Sequence, residues 1–251
     1  MKIKAGDTDF NFAHAEELLC RAAKSADVLV LPELWNTGFF PKENISLLAD
    51  KNALRAKSLL SSVASRFGVC IIGGSVTEEK DGRIYNTCYI YNEKGECICS
   101  YSKTHLFSYM GEQHYFTPGE SRADFTVCGI KASVVICYDM RFPEIVRKAA
   151  VDGAQLLFAV CQWPTERIGL LHILASGRAA ENQMYVAVCN SCGESFGSLF
   201  GGQSAVFDPM GNKTACAGEE EEIISEDIDI GKVSSLREQF NVFGDRRTEL
   251  Y

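Results

Sequence analysis

The sequence predicts an α/β protein whose helices pack outside its sheets. Short apolar runs of strand character recur along the chain. Between them lie longer segments with apolar residues at helical spacing. Hydrophobic residues make up 46% of the 251 residues, enough to fill a substantial core. In chain order, Asn11 to Ser25 carries Phe12, Ala15, Leu18, Leu19 and Ala22 on one helical face, and Val28 to Leu31 reads as a buried strand. Ala53 to Phe67 is a second helix, stopped by Gly68, after which VCIIGGS starts a strand. Tyr85 to Tyr91 and the segment running to Tyr101 are strands joined by a turn at Asn92 to Gly95. Val134 to Ile136 is a buried strand that leads into a helix opening at Phe142 to Glu144. LLFAV is another strand, Ile168 to Asn182 a helix, and MYVAVCN, QSAVFDP and EIISEDID complete the strands. No internal repeat and no linker-like composition divides the chain, so one domain is expected over residues 1–251, with 236–251 as a C-terminal arm. That arm holds Phe240, Val242, Phe243, Leu250 and Tyr251 without periodicity, the composition of a docking segment.

The chemistry concentrates at strand ends. In VVICYDMRFPEI, Cys137 ends an apolar strand where the chain turns into a helix. A thiol there can be presented as a nucleophile, and the free backbone N–H groups of the helix N-terminus favour a thiolate and a developing oxyanion. Burial as an inert structural residue is the commoner fate of a free cysteine. Two further segments favour reactivity. Glu33 lies just past the strand of VLVLPELWNTGF, an unusual place for a solvated charge, and Lys103 follows a strand in YSKTHLF. Converging at one sheet edge, Glu33 would take the thiol proton, Cys137 would attack, and Lys103 would stabilise the anionic intermediate.

The segments LPELWNTGF, YSKTHLF and ICYDMRFPE, in that order, resemble the three motif regions of the nitrilase superfamily of carbon–nitrogen hydrolases. The similarity continues through GRAAENQMYVAVCN, GGQSAVFDPMGN and the closing IISEDIDIGKVSSLREQF. Within the superfamily, CYDMRFPE and the closing tail are most similar to the omega-amidase branch. The resemblance implies a four-layer αββα sandwich and a Glu33, Lys103, Cys137 catalytic set. It also implies a second pocket carboxylate, for which Glu112 in MGEQHYFTPGE is the best match; the rival Glu120 sits in a plain turn, where a glutamate is ordinarily solvated. The backbone N–H of Tyr138 is the implied second oxyanion donor. No cofactor and no metal are implied, the partner is a small-molecule amide substrate, and a homodimer or higher homo-oligomer packs through helices near the nucleophile. The expected reaction releases ammonia from the terminal amide of a dicarboxylate, such as 2-oxoglutaramate, through a cysteine thioester. The superfamily's opening strand is shortened or missing here, since MKI runs almost at once into KAGDTDFNFAHAEELL.

Other readings stay open at this stage. An N-carbamoyl amidohydrolase or another aliphatic amidase would share the motifs, and a disused scaffold would share the fold. A Cys–His pair is the commoner way to activate a thiol, and His14, His105, His114 and His172 are available. For the substrate, Phe39, Arg141, Gln162 and Trp163 are candidate contacts, with Arg167 and Arg178 as further cations for a carboxylate.

Charge and cysteines exclude other classes. A formal net charge of −8 argues against nucleic acid and anionic membrane as partners, so any carboxylate recognition must be local. Four acids at Glu219 to Glu222 read as a solvated edge. Eleven cysteines, an odd number in a chain without an apolar leader or a membrane-length run, point to a reducing cytoplasm rather than a disulfide framework. The C-x-x-C of Cys189 and Cys192 lacks a matching second pair for zinc and does not open a helix, as a redox motif would.

Overall fold

A computed structural model gives the fold and describes residues 1–39 and 42–250; Tyr251, part of the expected arm, lies outside the described residues. The helices are α1 (Thr8–Ala22), α2 (Ile45–Leu48), α3 (Leu54–Phe67), α4 (Pro143–Val151), α5 (Ile168–Asn182) and α6 (Gly231–Gln239). The strands are β1 (Val28–Val30), β2 (Asp50–Lys51), β3 (Cys70–Ile72), β4 (Val76–Lys80), β5 (Arg83–Tyr91), β6 (Cys97–Ser102) and β7 (Ala123–Val127), then β8 (Ile130–Ile136), β9 (Leu156–Cys161), β10 (Tyr185–Asn190), β11 (Cys192–Ser195), β12 (Ser198–Gly201), β13 (Ala205–Phe207) and β14 (Lys213–Cys216).

Two six-stranded sheets form. One runs β1-β3-β5-β4-β2 with β6 beside β5; the other runs β14-β13-β10-β9-β8-β7. The strand period of two assigns the layers. In β3 and β5, Ile71, Tyr89 and Tyr91 face a core shared with α1 and α3, while Ile72, Cys88 and Ile90 face Val134, Ile136 and Phe158 of the other sheet. On the far side, Leu171, Ala175 and Ala179 of α5 and Val146 and Ala150 of α4 close the second sheet. Helix, sheet, sheet, helix is therefore the αββα order that the motif resemblance implied.

The central strands β8, β9 and β10 are parallel neighbours and almost wholly buried, which is why they read as unbroken apolar runs. Helix α1 begins earlier than its apolar period, because the Asp7 side chain accepts from Phe10 N at 3.1 Å and caps it. Gly68 ends α3 in the left-handed conformation with its N–H on Ala64 O. Strands β4 and β7 escaped the sequence reading. In contrast, EIISEDID makes no strand: Ile228 and Ile230 pack on the core edge without a ladder partner. The opening segment makes one parallel bridge, Lys2 with Cys192, and no strand.

The C-terminal segment docks on its own subunit. Residues 236–239 belong to α6, and the chain folds back on itself. Arg237 donates to Ala154 O, Asn182 O and Gln183 O, Gln183 Nε2 donates to Leu236 O and Phe240 O, and Phe243 packs against the core.

Candidate active site

Both sheets deliver chemistry to the same end of the sandwich. Glu33 follows β1 on a loop clamped between the sheets: Ser75 N donates to Pro32 O at 3.0 Å, Leu34 N to Ser75 Oγ at 3.0 Å, and Glu33 N to Cys161 O at 3.3 Å. Gly74 is required there, since a Cβ would stand 2.2 Å from Pro32 O. Lys103 follows β6, its N–H donating to Asn86 O at 2.9 Å. Cys137 ends β8 with φ +49° and begins a 3₁₀ turn, Cys137–Arg141, before α4. That turn, not the α-helix, supplies the N-terminus next to the thiol. A left-handed conformation at a non-glycine residue is a strained geometry characteristic of functional sites.

Two of these groups meet Glu112 in the interior. Lys103 Nζ donates to Glu33 Oε1 at 2.9 Å and to Glu112 Oε1 and Oε2 at 3.1 and 3.0 Å. All three side chains are essentially inaccessible. Glu33 also accepts from Asn86 Nδ2 at 2.9 Å and from Gln162 N at 3.1 Å, and the neighbouring Cys137 thiol favours its ionised form. Glu120, the rival to Glu112, is exposed.

The electrostatics follow from this packing. Burial pushes Glu33 above the usual carboxylate range; Lys103 opposes the shift and the neighbouring Glu112 adds to it. Burial would lower Lys103, but the Glu112 and Glu33 carboxylates more than offset it, so the ammonium stays charged. Burial raises the Cys137 thiol well above its ordinary value, with the neighbouring Cys161 thiol and the Glu33 charge acting the same way. With both acids and the lysine ionised the cluster carries one net negative charge. Passing the thiol proton to Glu33 leaves that total unchanged, and a raised carboxylate is the better acceptor for it.

Cys137 lines a cavity of about 270 Å³. Phe39, Arg141, Gln162 and Trp163, all singled out in the sequence, line it with Tyr138 and Arg167. Trp163 is both a buried residue and a cavity wall, with the Arg141 guanidinium 5.4 Å from its ring. The Tyr138 ring packs on Phe107 at 4.8 Å and on Phe142 at 5.3 Å. Gln162 chiefly holds Glu33: besides its backbone N–H, its Nε2 donates to Glu33 O, while its Oε1 has no partner. Arg178 does not line the cavity. It is buried against Glu181 and Met140 O, a helix-packing role.

Sequence reading missed Asp139. Its buried carboxylate accepts from Ile136 N at 2.9 Å, Tyr101 OH at 2.7 Å, Thr104 Oγ1 at 3.1 Å and His105 N at 3.0 Å, and lies 2.8 Å from His105 Nδ1. It thereby ties the nucleophile turn to the lysine loop. His105 is taken up by this contact and by stacking on Phe142 at 3.8 Å, so its ring is engaged with the Asp139 cluster rather than with the Cys137 thiol.

An αββα sandwich with a buried carboxylate, ammonium and thiol at the mouth of a small-molecule cavity defines a class of α/β protein equipped for thiol chemistry on small substrates. The carbon–nitrogen hydrolase profile matches residues 1–238, and the chain belongs to that family. It is 41% identical to a 2-oxoglutaramate amidase of Bacillus subtilis (strain 168), over 99% of this chain and 96% of the relative. It is 34% identical to omega-amidase NIT2 of Danio rerio, covering the whole of this chain and 92% of that protein. Among solved structures, an amidase from Nesterenkonia sp. AN1 superposes with a TM-score of 0.85 at 28% identity, covering 99% of this chain and 94% of that one; it was captured with acrylamide added to its active site cysteine.

Proposed function

We propose that this chain is an omega-amidase, hydrolysing the terminal amide of a small dicarboxylate monoamide such as 2-oxoglutaramate. Glu33 takes the thiol proton and Cys137 attacks the amide carbonyl. Lys103 Nζ and the Tyr138 N–H stabilise the tetrahedral oxyanion. Ammonia leaves with the proton from Glu33, giving a thioester. Glu33 then activates water, and the dicarboxylate is released. Glu112 holds Lys103 in place throughout.

The observation that carries the substrate class is the pair of guanidinium groups beside the nucleophile. Arg141 and Arg167 line the cavity, pack over aromatic rings, and have no carboxylate partner among the described residues. In a chain of net charge −8 they form a local cationic subsite, against a single acidic lining residue, Glu166. A volume of about 270 Å³ lies just below the roughly 300–1,000 Å³ of ordinary ligand pockets and fits a short acid. The full-length similarity to a 2-oxoglutaramate amidase supports the same reading.

Ammonia release from 2-oxoglutaramate, measured beside neutral amides, N-carbamoyl acids and nitriles, tests it. The 2-oxoglutaramate rate should lead the panel; a clear lead for a neutral or carbamoyl compound overturns the assignment. Loss of the anchoring charge in Arg141→Ala or Arg167→Ala should raise KM, truncation of such a contact costing about 2–5 kcal/mol. Arg178→Ala is the comparison outside the cavity.

A reducing cytoplasm suits the eleven free thiols. No helix among the described residues is long and apolar enough to cross a membrane. A homodimer formed through α4 and α5 accounts for the exposure of Val151 and Ile173 on that face. Light scattering at micromolar concentration should give twice the 27.7 kDa chain mass, and a monomer would contradict it.

A further inference from the structure

The proposed mechanism leaves one nucleophile beside the reaction centre unused. Cys161 ends β9, and the last pair of the parallel ladder is Ile136 with Val160, so Cys137, the first residue past β8, and Cys161 each follow that pair by one residue. Parallel strands lie about 4.8 Å apart, inside the roughly 4.4–6.8 Å range of Cα separations in disulfides. The Cys161 thiol is close enough to act on the Cys137 thiol, favouring its protonated form. The Cys161 backbone is pinned, its carbonyl accepting from Glu33 N at 3.3 Å and Ser191 N at 3.2 Å, so the thiol is held at the end of β9 beside the nucleophile turn.

Access imposes an order. Cys137 lines the cavity and Cys161 does not; Cys161 is fully buried behind it. A small oxidant entering the cavity meets Cys137 first. We propose that Cys161 is a resolving thiol, which captures oxidised Cys137 as a reversible disulfide and makes the site a redox-gated one. The inference rests on Cys137 being the reactive thiol of the proposed function.

The chemistry balances with hydrogen peroxide as oxidant. Glu33 accepts the Cys137 proton, and the thiolate sulfur attacks one peroxide oxygen. The O–O bond breaks, and hydroxide leaves and takes the proton from Glu33 as water. Cys137 is now a sulfenic acid, two electrons oxidised, and the peroxide is reduced. The Cys161 sulfur then attacks the Cys137 sulfur and the S–O bond breaks. Hydroxide leaves with the Cys161 proton as a second water. In the disulfide Cys137 cannot attack an amide, but it is also shielded from irreversible oxidation to sulfinic acid. A dithiol reductant restores both thiols by exchange.

The test treats the intact protein with stoichiometric hydrogen peroxide and follows amide turnover, intact mass and a non-reducing peptide map. The mass should fall by about 2 Da, whereas sulfinic acid would add about 32 Da. A peptide joining Cys137 to Cys161 should appear as turnover is lost, and dithiothreitol should return most of the turnover. Cys161→Ala, normalised to its own untreated rate, should recover at least about tenfold less and accumulate sulfinic acid on Cys137. A second close pair needs control, because Cys128 Sγ lies 3.9 Å from Cys70 Sγ. The map is therefore repeated in Cys128→Ser. A loss of mass traced only to Cys70 and Cys128 overturns the proposal, as does a wild type that goes straight to sulfinic acid without the Cys137–Cys161 peptide. The wild-type map depends neither on a variant folding nor on the choice of amide. If no amide is turned over, it still reads the thiol pair, so failure of this inference and failure of the proposed function are distinguishable.

Discussion

Cys137→Ala is expected to abolish amide turnover, to below a few per cent of wild type, while the fold persists. Alanine keeps the backbone of the nucleophile turn, and its left-handed φ of +49° is tolerated no worse by alanine than by cysteine. The turn itself is held by Asp139 on Ile136 N, a contact that does not involve the thiol. What disappears is the atom that forms the thioester in the proposed mechanism. Glu33 and Lys103 would remain paired at 2.9 Å but could offer only a polarised water, with no covalent step to divide the barrier. Ammonia release together with the urea unfolding midpoint reads both halves. A variant that keeps more than a few per cent of the rate, with the fold intact, would remove Cys137 from the mechanism.

The second large effect lies in Lys103→Met, which touches stability as well as catalysis. Glu33 and Glu112 are both buried and share this one ammonium. Removing it leaves two carboxylates facing each other without a cation, and breaking a buried pair in this way costs about 3–5 kcal/mol. The deficit has a pH signature. Glu33, already raised by burial and by the neighbouring Glu112, would lose the ammonium that opposes the shift, taking its folded-state pKa further above its unfolded value. Such a group contributes stability at low pH that is lost as pH rises through the folded value. The gap between Lys103→Met and wild type should therefore be largest near pH 8 and narrow toward pH 5. An equal gap at both would show that the acids do not face each other ionised. Lys103→Arg should fold better yet still lose most activity, because a planar fork cannot replace a compact point charge held by three carboxylate oxygens.

The parts of the site legible in sequence were those written locally. Glu33, Lys103 and Cys137 each stand where a strand stops, so charge or reactivity interrupts an apolar run. The strands β8, β9 and β10 were equally plain, since burial on both faces leaves an uninterrupted apolar word. The remainder depends on partners distant in the chain. Strand β4 reads VTEEK, too acidic for an interior strand, because the Tyr89 hydroxyl donates to Glu78 at 2.8 Å and satisfies it. EIISEDID has strand composition, yet which edge is available to a segment is a property of the assembled sheets. Asp139 looks like an ordinary turn acid until Tyr101, Thr104 and His105 arrive from more than thirty residues away. Gln162 appeared as a substrate contact, but most of its hydrogen bonding is spent on Glu33.

The central claim is that hydrolysis passes through an acyl group on Cys137. Rapid-quench intact mass spectrometry during turnover of 2-oxoglutaramate, followed by peptide mapping, reads it directly. The account predicts a transient adduct with the mass of the dicarboxylate acyl group, carried by the Cys137 peptide and absent from Cys137→Ala. Steady ammonia release with no acylated Cys137 at any time point, under conditions that preserve a thioester, would contradict it.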